Sequence, residues 1–294
     1  MTGMDILYLL LNAVTVIFIA ATMFAAGLGA TIAALRRAFS DPLLLALVLV
    51  ANLILIPLLG WGLAALFGLA AAPSVALLLA ASSPGGPFGA KLAMLQRGDV
   101  TTGAAMQVLL AALGSVTFGL TADALLTAAD IGGGVSLDVA ALVRTVAVLQ
   151  LVPFAIGLVL RHYATDTALA WHPATVKVSS VTFLIVLAGM LLGNWSDIVD
   201  LVGSRVLLAG FLFSVLSFGL GALLATGGGT RRTTMGSVAS IRNAGPALAA
   251  VGISFDSEPA VLGALAAVLI SGLTAAIPIA AFLSRGREPG SSNR

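Results

Sequence analysis

The chain has 294 residues, of which 60% are hydrophobic and only 9% are charged, and its formal net charge is +2. A soluble domain carries about 25% charged residues, so this composition excludes an ordinary soluble globule and predicts a protein that uses the lipid bilayer as its solvent. The small net charge, without a basic patch, argues against a nucleic-acid partner. The absence of cysteine excludes a disulfide framework and a thiolate metal site.

Apolar segments follow one another along the chain, and nine of them are long enough to cross a bilayer, which takes about 20 residues. Their predicted bounds are 6–34, 42–68, 73–96, 101–125, 139–160, 176–194, 204–226, 232–253 and 259–283. No Lys or Arg precedes the first segment, so we expect a mature helix there rather than a signal peptide. The predicted fold class is an all-α polytopic membrane protein.

The cations predict the orientation of the spans. Most of them fall in alternate connectors and in the tail 284–294, namely Arg36, Arg37, Arg97, Arg161, Lys177, Arg231, Arg232, Arg285, Arg287 and Arg294. Because cytoplasmic loops carry an excess of Lys and Arg, we expect an outside N-terminus and a cytoplasmic C-terminus, in the inner (plasma) membrane. Arg144 lies near the end of its span and is expected to snorkel to the surface. His162 and His172 fall in a predicted connector, where we expect solvated side chains.

Two of the predicted spans are interrupted by helix-breaking residues. The third contains Gly85-Gly86-Pro87, and the eighth contains Asn243-Ala244-Gly245-Pro246. Each break lies about 11 residues, or roughly 16 Å, from its predicted cytoplasmic end, which places it near the middle of the bilayer. Interrupted helices at matching places in two antiparallel spans indicate an inverted-repeat transporter with crossing discontinuous helices. A pair of ordinary proline kinks is the alternative interpretation.

A lysine and an arginine accompany these breaks. Lys91 follows Pro87 by four residues and Arg242 precedes Pro246 by four, so both are expected on the cytoplasmic side of the breaks and near each other. No Asp or Glu falls deep within a predicted span, so the two cations beside a half-helix N-terminus predict an anion site. For Arg242, neutralising the negative end of a half-helix is a competing role. The remaining expected substrate-binding residues are Asn243, Asn52, Gln107 and Phe88.

Four stretches carry a resemblance to a known family. They are "MFAAGLGATIAALRRAFSDP" (23–42), "ANLILIPLLGW" (51–61), "SPGGPFGAKLAMLQRGDV" (83–100) and "RRTTMGSVASIRNAGPALAA" (231–250). With the spacing of the spans, they make the chain resemble a prokaryotic, nine-span member of the bile acid:sodium symporter superfamily. The resemblance implies a panel domain (1–68 and 139–194) beside a core domain (73–125 and 204–283) that contains both broken helices.

The chain departs from the family at the positions that the resemblance implies for sodium binding. Sodium-coupled members follow the glycine pair with Thr-Ala-Ser-Asn, whereas this chain has Pro87-Phe88-Gly89-Ala90. The sodium-binding glutamate of the family corresponds to Val238, and the glutamine near it corresponds to Arg242. Other family ligand positions correspond to Gly103, Gln107 and Asn52. Our hypothesis is that the charges of Lys91 and Arg242 take the place of two sodium ions.

These observations predict a secondary transporter of a small or amphipathic organic anion, working by alternating access without sodium. A sodium-coupled symporter, a channel and a non-transporting membrane sensor or scaffold are the alternatives, and coupling to protons stays open. The chain has no HExxH, no GxSxG and no paired carboxylates within a span, so we do not expect an enzyme. The expected partners are the organic anion and the bilayer, without a metal or cofactor, and the expected state is a monomer or weak homodimer.

Overall fold

A computed structural model describes residues 3–86, 88–130, 137–193, 205–255 and 258–286. The regular structure within these ranges is helical, which confirms the predicted all-α class. The helices are α1 (Gly3–Gly29), α2 (Ile32–Phe39), α3 (Pro42–Val50), a π-helical turn (Ala51–Leu55), α4 (Ile56–Phe67), α5 (Ala71–Ala81), α6 (Phe88–Leu95), α7 (Val100–Ala128), α8 (Val139–Tyr163), α9 (Thr165–Gly193), α10 (Arg205–Leu223), α11 (Gly229–Ser240), α12 (Ala244–Ser254) and α13 (Pro259–Arg285).

Within the described residues, seven helical segments are long and apolar enough to cross a membrane. They are Leu10–Gly29, Pro42–Phe67, Val100–Ala128, Val139–Tyr163, Thr165–Met190, Arg205–Leu223 and Pro259–Arg285. They correspond to seven of the predicted spans. The other two predicted spans, 73–96 and 232–253, each consist of two half-length helices, α5 with α6 and α11 with α12.

Aspartates begin two of the long helical segments at the same end of the molecule. Asp41 accepts the backbone N–H of Leu44, and Asp99 accepts that of Thr102, so each caps a helix N-terminus. Arg231 lies between the two carboxylates, 3.2 Å from Asp41 Oδ2 and 3.6 Å from Asp99 Oδ2. These partly exposed charges connect the starts of α3, α7 and α11.

The second span contains a π-helical turn at Ala51–Leu55. Here the N–H of Ile56 bonds to the carbonyl of Ala51, one residue further back than in an α-helix. The next residue, Pro57, has no N–H to donate. The carbonyl of Asn52 therefore has no donor within its own helix and is available to a side chain from elsewhere.

The predicted end of the first span at residue 34 was wrong. α1 ends at Gly29, and the separate helix α2 begins after Thr31, whose backbone is extended and whose hydroxyl oxygen accepts the N–H of Ala34. The cap interrupts the helix because a residue with extended φ and ψ cannot continue it.

The predicted connector at 161–175 was also wrong, because it is helical. α8 continues to Tyr163 and α9 begins at Thr165, so a single residue separates them. His162 lies in the last turn of α8, and His172 lies inside α9, near the C-terminal end of α1 at Gly29. Asp166 lies in the first turn of α9, where a negative charge is favourable, and Ala168, Leu169 and Ala170 are good helix formers. Pro173 lies inside this helix.

Helix α1 packs most extensively against α8 and α9. Gly27 and Gly157 allow the α1 and α8 backbones to touch, because a Cβ on either glycine would overlap the other helix. On the α9 side, the buried hydroxyls of Thr22 and Ser179 share a hydrogen bond of 2.6 Å.

The second span packs mainly against α5, α7 and α10. A Cβ on Gly60 of α4 would overlap the Cβ of Ala81 and lie 3.6 Å from the ring of Phe213, so these helices approach closely. We therefore propose that residues 42–67 group with the predicted core helices, and not with the panel as the family resemblance had implied.

Candidate functional site

The two helix breaks cross and are hydrogen-bonded to each other. α5 ends at Ala81 and α6 begins at Phe88, while α11 ends at Ser240 and α12 begins at Ala244. The backbone N–H of Asn243 donates to the Ser83 carbonyl at 2.9 Å, and the Ser83 hydroxyl donates to the Asn243 carbonyl at 2.6 Å. These residues lie 160 positions apart in the sequence, so the two breaks form one structural unit.

The glycine pair makes the crossing sterically feasible. Gly85 has φ +78° and its α-carbon faces the backbone of Ala111, where a side chain would collide. A Cβ on Gly86 would overlap the carbonyl of Arg242 in the other break. The predicted break at Gly85 and Gly86 therefore coincides with the crossing, whereas Pro87 lies outside the described residues.

The second break is displaced from its predicted place. Gly245 and Pro246 lie in the first turn of α12, and the non-helical residues are Ile241–Asn243. Proline is compatible with a first helical turn because the N–H that it lacks has no intrahelical partner there. Asn243 caps this helix by accepting the Gly245 N–H at 3.1 Å. Arg242 consequently lies within the break, and not one turn to its cytoplasmic side.

Arg242 is buried, with 6% of its surface exposed, and its guanidinium is surrounded by carbonyl oxygens. Nη2 donates to the Ala81 carbonyl at 2.7 Å and to the Asn52 carbonyl at 3.2 Å. Nη1 donates to Asn52 Oδ1 at 3.0 Å, and Nε contacts the Ala80 carbonyl at 3.4 Å. The Asn52 carbonyl is the one that the π-helical turn leaves without a helical donor.

These partners give Arg242 a compensated electrostatic environment without a carboxylate. Ala80 and Ala81 end α5, where the helix dipole places partial negative charge. Within the described residues, no Asp or Glu forms a salt bridge with Arg242. The guanidinium therefore offsets the partial negative charge at the C-terminus of α5, the first half of the other broken helix. Because that charge is only partial, the crossing keeps a net positive charge.

Lys91 has different partners. Its side chain is exposed, its Nζ donates to Ser180 Oγ of α9 at 3.0 Å, and it lies 4.7 Å from the centre of the Phe88 ring. Arg242 instead contacts the π-helical turn and the end of α5. The two cations that the sequence predicted to share one cavity wall are thus held by different groups of helices.

The predicted amide residues are all buried, and two of them support the crossing. Asn52 accepts from Arg242 and donates through Nδ2 to the Val48 carbonyl at 3.0 Å. Asn243 caps α12, and its Nδ2 donates to Gln150 Oε1 at 3.2 Å. Gln107 is 7% exposed on α7, and its backbone carbonyl faces Gly85.

A pocket lies beside the crossing and is lined by residues of α1, α9, α10 and α13 as well. Its empty volume, including its open mouth, is about 540 Å³. The rings of Phe18, Phe88, Phe183 and Phe213 line it, together with the polar residues Ser214, Ser240 and Arg242. Of the predicted binding residues, the lining includes Phe88 and Arg242. Phe183 lies 5.3 Å from Phe18 and 5.2 Å from Phe88 between ring centres, so aromatic contacts join α1, α9 and α6.

Polar residues at the crossing, among them Ser83 and Gln150, were not identified from the sequence. Gln150 on α8 is 1% exposed, and its Oε1 accepts from Asn243 Nδ2 at 3.2 Å. Ser115 Oγ lies 3.1 Å from the same oxygen and 2.8 Å from the Ala111 carbonyl, and its single proton is shared between the two. The signal was present, because Gln150 is an uncharged amide within the apolar run "VAVLQLVPF". A polar side chain inside a membrane span is commonly a functional or structural contact.

Comparison with known proteins agrees with this architecture. Residues 16–201 match the model of the sodium bile acid symporter family, which is more than half of the chain. The chain is also similar to the probable sodium/metabolite cotransporter BASS3, chloroplastic, of Arabidopsis thaliana, with 28% identity over 202 residues. That similarity covers 68% of this chain but only 45% of the length of the relative. The chain belongs to the sodium bile acid symporter family.

Proposed function

We propose that this member of a membrane transporter family is a secondary transporter of an organic anion that works by alternating access without sodium. The observation that supports it is the guanidinium of Arg242, buried among the carbonyl oxygens of Ala81 and Asn52 and the amide oxygen of Asn52. Carbonyl and amide oxygens are hard ligands of the kind that bind small cations. Here a covalently attached cation occupies them.

The surroundings of Val238 support the same proposal. Val238 is 1% exposed and belongs to an apolar cluster with Met106, Leu110 and Met235. Gly89 packs against its backbone, with only 3.0 Å between a Cβ built on Gly89 and the Val238 α-carbon. A desolvated sodium ion needs oxygen ligands and negative charge, and this apolar environment supplies neither.

The pocket favours a guest with a negative group and an apolar body. Four phenylalanine rings and aliphatic side chains make most of its wall, and Arg242 contributes a fixed positive charge. An anion in the pocket lowers the electrostatic cost of that buried charge, because opposite charges attract strongly in a low dielectric. Lys91 adds a second positive charge beside Phe88. We assign Phe88 and Arg242 to the pocket wall. Asn52 and Asn243 hold Arg242 and the break beside the pocket, and Gln107 lies behind Gly85.

The proposal extends to the membrane arrangement. The two half-helix pairs complete nine spans, with the N-terminus outside and the C-terminus in the cytoplasm of the inner (plasma) membrane. The tail 287–294 lies outside the described residues, so the C-terminal side rests on the distribution of Lys and Arg.

Uptake into proteoliposomes tests the proposal. The substrates are carboxylates of increasing apolar size. For each of them, we expect the uptake rate in choline chloride to be within about twofold of the rate in sodium chloride, since Arg242 needs no exchangeable cation. A loss of more than about tenfold in choline would instead support the sodium-coupled alternative that the family name suggests. Ligand-induced thermal stabilisation without flux would support a sensor.

A further inference from the structure

Helices α6 and α9 meet beside the pocket through side chains that lie in two layers. α6 packs mainly against α7, α11 and α13, whereas α9 packs mainly against α1 and α8, so the two helices belong to different groups. In the aromatic layer, the rings of Phe88 and Phe183 lie 5.2 Å apart between centres. In the polar layer, Lys91 Nζ donates to Ser180 Oγ at 3.0 Å. These two contacts join the groups.

The order of the layers follows from helix geometry. Lys91 follows Phe88 by three residues on α6, and Ser180 precedes Phe183 by three on α9. Residues three apart lie on the same face of a helix, about one turn from each other. The polar layer therefore lies one turn beyond the aromatic layer, toward the C-terminal end of α6. α7 begins at that same end of the molecule, after its cap Asp99.

Helix α1 repeats this order. Phe18 lines the pocket, and Thr22, four residues further along α1, shares its hydrogen bond with Ser179 of α9. The aromatic rings of α1, α6 and α9 all belong to the pocket wall, whereas Lys91 and Ser180 do not. The pocket therefore stops at the aromatic layer, and the polar layer closes the space beyond it.

The two hydrogen bonds of the polar layer differ in how easily they open. The bond between Thr22 and Ser179 is buried, so breaking it leaves polar groups without partners and keeps α1 and α9 together. The side chain of Lys91 is exposed, so its ammonium can exchange Ser180 for water. A lysine ammonium is strongly hydrated once released, so neither arrangement strands a buried charge. The contact between α6 and α9 is thus the one that can open.

We propose that the hydrogen bond between Lys91 and Ser180, with the ring contact of Phe88 and Phe183 behind it, is a latch that holds the pocket shut toward the C-terminal end of α6. The inference rests on the proposed alternating access, in which the two groups of helices separate on one face at a time. Breaking the latch frees α6 from α9 and opens the pocket to that face.

Single introduced thiols test the latch, because the sequence contains no cysteine. Leu269→Cys places a thiol in the pocket wall. In a separate protein, Ser40→Cys places one on the exposed surface just before α3, at the end that the latch closes. A charged, membrane-impermeant methanethiosulfonate is added to spheroplasts and to inverted membrane vesicles, which expose opposite faces. The preparation in which the Ser40→Cys protein reacts identifies the latched face.

The variants Lys91→Met and Ser180→Ala break the latch from its two sides. We expect each to raise the labelling rate of the pocket thiol from the latched face about two- to fivefold, because a larger share of the molecules is open. The double variant should add little to either single one, since both remove the same bond. Lys177→Met is the matched control, because it removes an exposed lysine of α9 one turn from Ser180 and should leave the rate unchanged.

Three results would overturn the latch. They are unchanged labelling in both variants, an equal rise from both faces, and a wild type whose pocket thiol reacts from the latched face as fast as the surface thiol. The labelling needs no substrate, so it is read separately from the proposed function. Wild-type proteoliposomes that take up none of the carboxylates would overturn the transporter proposal, and the latch would then control access to a binding pocket alone.

Discussion

Removing the guanidinium of Arg242 gives the sharpest test of its role as an attached cation. Arg242→Ala leaves the carbonyls of Ala81 and Asn52 and the amide oxygen of Asn52 without their donors. At about 1–3 kcal/mol for each buried unpaired group, the folded state loses about 3–9 kcal/mol. The lower end of this range corresponds to a fall in melting temperature of about 6–12 °C for a chain of this size.

The same oxygens should make the variant respond to sodium. Once the guanidinium is gone, a small cation can enter the space and bind the carbonyls at the negative end of α5. At a concentration of 100 times its dissociation constant, a bound ion adds about 2.7 kcal/mol of stability. The wild type should not respond, because Arg242 already occupies these oxygens.

Thermal unfolding in detergent measures both effects, with sodium chloride and choline chloride at equal ionic strength. We expect Arg242→Ala to melt lower than the wild type in choline and to regain part of the loss in sodium. Equal stabilisation of wild type and variant by sodium would refute the idea that the guanidinium replaces a bound cation. So would a variant that loses less than about 1 kcal/mol, because its oxygens would then not depend on Arg242.

Three further substitutions have defined expected outcomes. Gly86→Ala should prevent the crossing of the breaks and reduce the yield of folded protein, because its Cβ would overlap the Arg242 carbonyl. Its control is Gly62→Ala, whose Cβ would have no neighbouring atom within 4 Å and which should be neutral in size-exclusion and melting assays. Arg231→Ala should cost only about 0–1 kcal/mol in the same melting assay, since its ion pairs with Asp41 and Asp99 are partly exposed, and an effect as large as that of Arg242→Ala would contradict the distinction between the two arginines. Lys91→Met should also change stability by less than about 1 kcal/mol, because the hydrogen bond between Lys91 and Ser180 is exposed and adds little to the free energy of folding. A larger fall would show that this contact holds α6 to α9 more strongly than an exposed hydrogen bond should.

Local chemistry was sufficient to predict most of the helices and that two of the spans are interrupted. A span depends on a continuous run of apolar residues, and a break depends on Gly or Pro within that run, so both can be read from neighbouring residues. The break before α6 was predicted correctly at Gly85 and Gly86. The break before α12 was misplaced by a few residues, because Pro246 is equally acceptable in the first turn of a helix and the sequence does not show which side of it is helical.

The partners of the polar side chains were decided by the packing of segments that are far apart in the chain. Arg242 reaches the Ala81 carbonyl across 161 positions and Asn52 across 190, and Gln150 meets Asn243 across 93. Composition showed that these polar groups had to be satisfied inside the membrane, because an unpaired buried group is costly. It did not show that Arg242 would turn toward the end of α5, because the direction of a side chain depends on which helix faces cross, and only the folded arrangement brings those faces together.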